Sequence, residues 1–297
     1  MTFGAVNKLR LGLPKGSLQE STIALFSKAG FNFAVNGRSY YPGCDDDEIK
    51  AVLLRAQEIP RYVADGVLDA GITGWDWVIE NGVEMEVVEI ADLLYAKQSV
   101  RPVRWVLAVH ENSNINSVKD LEGKTIATEV VNITKNYLAK NAVNARVEFS
   151  WGATEVKVPH LVDAIVEVTE TGTSLRDNNL KVIDEIMQST TKFIANRISM
   201  RDSWKAQKVD DISVLLKGAI SAWGKVILRI TVPKDKLEEA INIFPSKKRL
   251  SIFPPDSFGN VIIDAIVEEK KVREISPELK RIGAISMTEM ILNKLIE

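Results

Sequence analysis

The sequence predicts an α/β protein that ends in a separate β-α-β-β-α-β unit. Short β-rich runs alternate with helical segments over most of the chain, which is typical of sheets covered by helices. From residue 225 the predicted order becomes strand, helix, two strands, helix and strand, the ferredoxin-like arrangement. The 297 residues are 45% hydrophobic, so the chain is long enough to bury more than one core.

The first region is predicted to open with a strand and a capped helix. The strand is "KLRLGL" (8–13), and Ser17 and Glu20 follow it with the S-x-x-E spacing of a capping box. Gly30 is suited to end this helix, because glycine readily adopts the left-handed conformation found there. The next predicted elements are "KAVLLR" (50–55) as a strand, "IPRYVADGVLDAGITG" (59–74) as helix, turn and strand, and "VEMEVVEIADLLY" (83–95) as a strand.

A second region continues the alternation of strands and helices. Its predicted segments are "RPVRWVLAVHE" (101–111), "KTIATEVVNITKNYLAKN" (124–141), "ARVEFSWGATEV" (145–156) and "DAIVEVTETGTSLRDN" (163–178), which completes the region. A further strand, "TTKFIANR" (190–197), and a mostly helical segment, "SWKAQKVDDISVLLKGAISA" (203–222), follow it. In the tail, Ser276 is expected as the N-cap, Pro277 as the first residue and Gly283 as the terminator of the last helix.

Composition and charge exclude several classes of function. A formal net charge of -2 gives no general attraction to nucleic acid or to anionic membranes. Cys44 is the single cysteine, and neither C-x-x-C nor H-E-x-x-H spacing occurs, which disfavours a disulfide framework and a structural zinc site. We expect a soluble cytoplasmic protein, because the sequence shows no signal peptide and no run of about 18 apolar residues.

Acidic and hydroxyl side chains surround one glycine in "DAIVEVTETGTSLRDN". Thr171, Gly172, Thr173 and Ser174 follow a buried run, as in a phosphate cradle where backbone N–H groups and hydroxyls meet an anion. Acids would repel a phosphate alone, but a carboxylate can accept hydrogen bonds from ribose hydroxyls and stabilise positive charge at the anomeric carbon. A ribose 5-phosphate group meets both demands. A capped helix with solvated acids explains the same spacing equally well.

Two further turns carry groups suited to a phosphorylated ligand. "LPKGSL" (13–18) presents a lysine with glycine and serine, and "DAGITGWD" (69–76) presents two glycines and a threonine at a predicted strand end. Because α/β sheets bind ligands at the carboxyl ends of their strands, these turns are expected to converge with the threonine-rich loop. The threonine-rich loop has no G-x-x-x-x-G-K-[ST] pattern, so it is not a Walker A loop, and the sequence has no G-x-G-x-x-G pattern, which disfavours a dinucleotide site.

These segments, in this order, resemble the ATP phosphoribosyltransferase family over most of residues 8–180, and the tail resembles the regulatory domain of its long form. The resemblance implies two domains like those of type II periplasmic binding proteins around a cleft, plus the ferredoxin-like domain. The implied boundaries are 1–95 with 184–217 for catalytic domain I, 96–183 for catalytic domain II and 218–297 for the regulatory domain.

The resemblance also implies a reaction and its participants. N1 of ATP attacks C1 of phosphoribosyl pyrophosphate and releases pyrophosphate in the first step of histidine biosynthesis, with Mg²⁺ carried chiefly on the pyrophosphate. Histidine is expected to bind the tail and inhibit, and the chain is expected to form a homo-oligomer, a dimer or hexamer. Because the transition state resembles an oxocarbenium ion, the protein's task is alignment and charge stabilisation.

Site residues carried over by position fall into four sets. Glu167 and Glu170 are the implied catalytic acids, although Glu167 stands where the family commonly has aspartate. The implied contacts to phosphoribosyl pyrophosphate are Thr171, Gly172, Thr173, Ser174 and Leu175. The implied contacts to ATP or pyrophosphate are Lys15, Gly16, Arg38, Arg55, Asp69, Thr73, Gly74, Glu129, Asn132 and Thr134. The histidine site is expected near Thr231, Asp256, Ser257 and Ala284.

Two alternatives remain open from the sequence. One is a cytoplasmic solute sensor that uses the same two-domain cleft without catalysis. The other is a phosphoribosyltransferase that acts on a different nucleophile. Turnover with ATP, or its absence, distinguishes these alternatives from the first reading.

Overall fold

The computed structural model describes residues 7–37, 39–95 and 101–297. Its contacts divide the chain into two compact units, Met1–Leu216 and Lys217–Glu297. None of the helices in these ranges is long and apolar enough to cross a membrane.

The first unit contains two five-stranded sheets. The elements that precede the crossing to the second sheet are β1 (Leu9–Lys15), α1 (Gln19–Ala29), β2 (Phe33–Ala34), β3 (Gly43–Cys44), β4 (Ile49–Arg55), α2 (Ile59–Ala64), β5 (Ala70–Gly74), α3 (Trp75–Asn81) and β6 (Val87–Leu93). The elements that follow are β7 (Val103–His110), β8 (Thr125–Thr128), α4 (Val131–Lys140), β9 (Arg146–Phe149), β10 (Ala164–Thr169), α5 (Thr173–Asp177), β11 (Leu180–Ser189), β12 (Thr191–Asn196) and α6 (Ser203–Ser221).

The two sheets share one topology. The first has the order β4-β1-β5-β12-β6 and the second the order β9-β8-β10-β7-β11. In each sheet three neighbouring parallel strands are followed by an antiparallel strand that arrives from the other sheet, and then by an edge strand. This repeated arrangement, with helices between the strands, confirms the predicted pair of α/β lobes. Residues 184–189, assigned above to the first lobe, pair with β7 in the second sheet.

The second unit is the predicted β-α-β-β-α-β domain. Its elements are β13 (Lys225–Pro233), α7 (Leu237–Ile243), β14 (Leu250–Ile252), β15 (Asn260–Glu268), α8 (Glu269–Arg281) and β16 (Ser286–Ile291). The antiparallel order β14-β15-β13-β16 is ferredoxin-like, and alternating strand residues form a core with both helices. The predicted fold class is therefore confirmed in both units.

Two helix starts predicted from capping signals were wrong. The helix α1 begins at Gln19 with Leu18 as its N-cap, because the Leu18 carbonyl accepts the first helical hydrogen bond from Thr22, and Ser17 lies in the preceding turn. The helix α8 begins at Glu269, not at Ser276, and contains Pro277. Because Ile275 and Leu279 are buried in the core of this unit, their packing stabilises the longer helix although it contains a proline.

Candidate active site

One cleft of about 510 Å³ opens in the first unit, with walls from both sheets. Its polar and charged lining residues are Lys15, Ser17, Arg55, Gln57, Asp76, Arg101, Glu129, Glu167, Thr169, Glu170, Thr171, Thr173, Ser174, Ser189, Thr190 and Thr191. The volume is in the range of a small-molecule site. Two of the three turns singled out in the sequence, those at Lys15 and at Thr171, thus meet here, together with Gly74 from the third.

The first lobe contributes two cations from adjacent strands. Lys15 and Arg55 are facing register partners at the carboxyl ends of the parallel strands β1 and β4. The Lys15 ammonium lies 3.8 Å from the centroid of the Tyr40 ring, which holds it in a cation–π contact. Gly16 has a φ of +108°, so its left-handed turn lets the chain pass beside the Arg55 guanidinium. This pair forms a basic wall suited to phosphate groups.

The second lobe contributes the threonine-rich loop between β10 and α5. Gly172 has a φ of +75°, and its N–H donates to Thr169 Oγ1 at 2.8 Å. The hydroxyl oxygens of Thr171 and Thr173 are 3.0 Å apart, and both side chains are exposed with that of Ser174. The left-handed turn at Gly172 therefore gathers three hydroxyl groups at the cleft.

Two charged side chains brace this loop from its sides. Arg176 donates to the Thr171 carbonyl at 3.2 Å and to Thr173 Oγ1 at 3.1 Å. The Ser174 hydroxyl donates to the carboxylate of Glu155, which comes from the segment before β10. Leu175, one of the residues predicted for the loop, is buried in the core beneath it and anchors α5. These contacts within the protein therefore hold the loop in shape.

Glu167 is a cleft carboxylate whose proton affinity is altered by its surroundings. Burial raises the pKa of Glu167 to about 7, and the charges of Glu155 and Glu129 act in the same direction. The polar side chain of Thr154 and the Val168 N–H, which donates to the carboxylate at 3.1 Å, oppose this rise by favouring the ionised form. Glu167 therefore changes charge near neutral pH. Glu170 also lines the cleft.

Asp76 joins the two lobes beneath the cleft. Its carboxylate, 4% exposed, accepts hydrogen bonds from Trp105 Nε1 at 2.7 Å and from the Ser189 hydroxyl at 2.8 Å. Burial raises the pKa of Asp76, against the effect of these donors. Trp77 packs edge-to-face on Trp105 with ring centroids 5.9 Å apart. The start of α3 is thereby tied to β7 and β11 of the other sheet.

The other residues predicted to contact ATP or pyrophosphate have several different settings. The Thr73 hydroxyl donates to the Ala56 carbonyl at 2.7 Å, and the Thr134 hydroxyl donates to the Val130 carbonyl at 2.7 Å; both threonines are fully buried. The backbone N–H of Asn132 donates to the carboxylate of Glu80 on α3, at 3.0 and 3.1 Å. Glu129 lines the cleft and is 3.4 Å from Gln57 Nε2. Arg38 lies outside the described residues.

Asp69 has a different setting from the one predicted. It precedes β5, whereas Gly74 at the other end of that strand lines the cleft. Its fully buried carboxylate is held by Arg10, with contacts of 2.7 and 2.9 Å, by Lys205 at 2.8 Å and by the Ser199 hydroxyl at 2.8 Å. This network links β1, the start of β5 and α6, so the Asp69 carboxylate makes contacts within the protein and stabilises the packing of these elements.

The structure adds cleft residues that sequence reasoning missed. Arg101 contributes a third cation, and Tyr95 and Trp105 contribute buried aromatic walls. Glu155 reaches the loop through Ser174. In the sequence, Tyr95 and Trp105 have apolar neighbours, as core residues do, and Arg101 lies outside the three predicted turns. No local pattern distinguished them from packing or surface residues.

The residues considered for a histidine site lie at two places in the second unit. The Ser286 hydroxyl donates to Thr231 Oγ1 at 3.0 Å, and Ile285, next to the buried Ala284, donates to the Thr231 carbonyl at 2.9 Å. Asp256 caps its own turn by accepting the N–H groups of Phe258 and Asn260 at 2.9 and 2.8 Å, and Ser257 lies in that turn.

Comparison with known families decides the class of this protein. The profile of the family described as "ATP phosphoribosyltransferase" matches residues 55–218, and the profile described as "HisG, C-terminal domain" matches residues 222–294. The chain belongs to the ATP phosphoribosyltransferase family. The family resemblance in the sequence is thus confirmed, and the chain is an enzyme of the pentosyltransferase class associated with histidine biosynthesis.

Individual relatives match nearly the whole chain. The ATP phosphoribosyltransferase of Chlorobaculum parvum is 57% identical over 291 residues, covering 98% of each chain. That of Pelotomaculum thermopropionicum is 54% identical over 289 residues, covering 97% of this chain and 99% of the relative. Among solved structures, the ATP phosphoribosyl transferase (HisG:HisZ) complex from Thermotoga maritima matches with a TM-score of 0.59 and 27% identity, over 70% of this chain and 98% of that chain.

Proposed function

We propose that this enzyme joins N1 of ATP to C1 of phosphoribosyl pyrophosphate and releases pyrophosphate, the first step of histidine biosynthesis. The main support is that a hydroxyl-rich loop with two glutamates shares one cleft with Lys15 and Arg55. Phosphoribosyl pyrophosphate carries a sugar phosphate, which the hydroxyl groups and carboxylates of the loop can bind, and a pyrophosphate, which the two cations can bind. The family membership reported above supplies the reaction class.

The threonine-rich loop is proposed to hold the ribose 5-phosphate. Thr171, Thr173 and Ser174 offer exposed hydroxyl donors there, and the left-handed turn at Gly172 permits close backbone approach. The Ser174 hydroxyl donates to Glu155, so it would reach a phosphate oxygen by turning away from that carboxylate. The loop would fix the ribose at one end.

The carboxylates of Glu167 and Glu170 are proposed to face the ribose ring. As the bond from C1 to pyrophosphate breaks, positive charge grows on C1 and the ring oxygen, and N1 of ATP attacks from the opposite side with inversion. An ionised carboxylate held in a partly buried site stabilises that charge more than water would. No covalent bond to the protein is required.

The cations on the other wall are proposed to bind the leaving pyrophosphate and the phosphates of ATP. Lys15 and Arg55 lie at the ends of the adjacent strands β1 and β4, and Arg101 also lines the cleft. Within residues 7–37, 39–95 and 101–297, no group of three or more His, Cys, Asp or Glu side chains is arranged to hold a metal ion. Mg²⁺ typically binds through substrate phosphates and water, and its charge would help to neutralise the departing pyrophosphate.

The second unit is proposed to regulate the enzyme. Histidine would bind this domain, near Thr231 or the 256–260 turn, and would inhibit if it prefers a less active state of the enzyme. We also propose that the chain forms a homo-oligomer in the cytoplasm. The Thermotoga maritima protein was solved as a complex of HisG with HisZ, whereas this chain carries its own C-terminal domain.

A direct assay tests the proposed reaction. Purified enzyme is incubated with ATP, phosphoribosyl pyrophosphate and Mg²⁺, and N1-phosphoribosyl-ATP and pyrophosphate are measured together. Equimolar, ATP-dependent formation of both products is expected. Binding of either substrate without turnover would support the solute sensor, and pyrophosphate release that depends on another base in place of ATP would support a different phosphoribosyltransferase.

A further inference from the structure

The helix α3 belongs to the hydrophobic cores of both lobes. Val78 is fully buried in the core of the first lobe, which also contains Ile59 and Ile194. Trp77 and Ile79, the residues on either side of Val78, pack against the core of the second lobe. Because protein interiors are close-packed and transmit displacement, a helix that contacts both cores couples the position of one lobe to that of the other.

Ser189 of the second sheet holds the start of this helix. Its hydroxyl oxygen accepts the Asp76 N–H at 3.0 Å, and the same hydroxyl donates to the Asp76 carboxylate at 2.8 Å. The Trp75 N–H donates to the Thr190 carbonyl at 3.0 Å. Since β11 ends at Ser189 and β12 begins two residues later, these bonds tie α3 to the segment in which the chain passes from the second sheet to the first.

Gly74 leaves space for the Asp76 carboxylate. A Cβ at this position would lie 2.1 Å from Asp76 Oδ1, although the φ of -79° at Gly74 is open to any residue. The glycine therefore has a steric role and not a conformational one. Asp76 Oδ1 accepts from Ser189 and Asp76 Oδ2 from Trp105 Nε1 at 2.7 Å, so both carboxylate oxygens are bonded to the second lobe.

Asp76 lies where the supports of the two cleft walls meet. It follows the end of β5, and β5 pairs with β1, the strand that ends at Lys15 in the basic wall. Its partner Trp105 faces Val168 across the β7–β10 pair, and β10 leads directly into the threonine-rich loop. One buried carboxylate thus connects the strand system of the cations to that of the hydroxyl groups.

We propose that Asp76 is a positioning residue that acts through Trp105 and Ser189 to set the distance between the basic wall and the threonine-rich loop. This inference rests on the proposed function, in which phosphoribosyl pyrophosphate has its pyrophosphate on one wall and its 5-phosphate on the other. Such a ligand gains affinity from both subsites only when their separation matches its own length. A ligand that fills one subsite does not depend on this separation.

Calorimetric titration of the full chain distinguishes these two kinds of ligand. Phosphoribosyl pyrophosphate is compared with ribose 5-phosphate and with pyrophosphate, each in the presence of Mg²⁺ and without ATP. Asp76→Ala and Ser189→Ala should each raise Kd for phosphoribosyl pyrophosphate about tenfold, the size expected from coupling between residues in contact. Kd for the two smaller ligands should change by less than about twofold. Asp65→Ala, at an exposed site of the first lobe, should leave all three values unchanged.

Two further variants test whether Asp76 acts through its partners. Trp105→Phe keeps an aromatic ring but removes the N–H donor, and should weaken phosphoribosyl pyrophosphate selectively. Asp76→Ala combined with Ser189→Ala should weaken it no more than Asp76→Ala alone, because residues that act as one unit are not additive. Additive losses would overturn the proposal. An equal loss for pyrophosphate or ribose 5-phosphate would also overturn it, because Asp76 would then serve that subsite itself.

A distance measurement separates this inference from the proposed function. Spin labels are attached at Glu20→Cys on α1 and Lys140→Cys on α4, two exposed sites, after the single native cysteine is removed by Cys44→Ser. Asp76→Ala should shift or broaden the distribution of distances between the labels, and an unchanged distribution would refute the proposal. If ribose 5-phosphate and pyrophosphate fail to compete with phosphoribosyl pyrophosphate in the wild type, the proposed function is wrong, while the label distances still decide the role of Asp76.

Discussion

The Glu80 carboxylate caps the N-terminus of the helix that carries Asn132. It accepts the N–H groups of Asn132, at 3.0 and 3.1 Å, and of Ile133 at 3.0 Å, and the Asn132 side chain returns a hydrogen bond to the Glu80 carbonyl at 2.9 Å. Glu80 belongs to α3 and Asn132 to α4, so one lobe caps a helix of the other. The cap satisfies two otherwise unpaired N–H groups and complements the helix dipole.

Replacing Glu80 by alanine should therefore weaken the contact between the two lobes. We expect Glu80→Ala to lower the free energy of unfolding by about 1–2 kcal/mol, the usual cost of losing an N-cap. Urea denaturation followed by tryptophan fluorescence measures this change. Glu84→Ala, at a nearby exposed glutamate, is the matched control. Equal stability of both variants would show that the interlobe cap contributes little.

The threonine-rich loop should govern one substrate more than the other. Thr171→Ala combined with Thr173→Ala removes two hydroxyl donors proposed to meet the 5-phosphate. Hydrogen bonds to charged groups contribute about 1.5–3 kcal/mol each, so KM for phosphoribosyl pyrophosphate should rise at least tenfold. KM for ATP, measured with the same enzyme, should change much less. An equal rise for both substrates would argue against the loop assignment.

The network around Asp69 should make stability depend on pH. Burial alone would raise the pKa of Asp69, but hydrogen bonds from Arg10, Lys205 and Ser199 hold it well below its ordinary value. A carboxyl whose pKa is lowered by folding stabilises the protein above its unfolded pKa, near 3.8, and this contribution is lost as the pH falls toward the folded value. Asp69→Asn should remove it at all pH values.

The expected loss in Asp69→Asn is about 3 kcal/mol at pH 7, because Arg10 and Lys205 lose their shared partner. Urea denaturation at pH 7 and at pH 3 measures it, with the exposed Asp65→Asn as control. The difference between wild type and Asp69→Asn should shrink at the lower pH. A constant difference would mean that the carboxylate's charge is not what stabilises the fold.

Histidine inhibition should depend on the second unit. A chain ending at Ser221, the last residue of α6, is expected to lose inhibition by histidine while phosphoribosyl transfer is still measurable. Circular dichroism of the truncated chain checks its helix content. In the full chain, Thr231→Val removes the hydroxyl that meets Ser286 and should raise the histidine concentration needed for half inhibition, with Thr288→Val as control. Wild-type inhibition of the truncated enzyme would place the histidine site elsewhere.

The sequence by itself determined the α/β class, the ferredoxin-like tail and the converging turns, because these follow from local patterns. Alternating apolar residues define strands, and glycine at Gly172 or Gly30 marks a left-handed position that other residues adopt at a cost. The family resemblance also rested on contiguous segments. Such signals lie within a few neighbouring residues, so they can be recognised without knowledge of the fold.

Only the tertiary structure decided what each polar group contacts. Asp69 and Thr73 looked like ligand contacts at a strand end, yet Asp69 pairs with Arg10 and Lys205, which come from distant parts of the chain. Helix α8 begins before Ser276 because burial of Ile275 and Leu279 outweighs a local cap signal. The proton affinity of Glu167 likewise depends on burial and on Glu155, Glu129 and Thr154, since electrostatic interactions are set by distance in space and not in sequence.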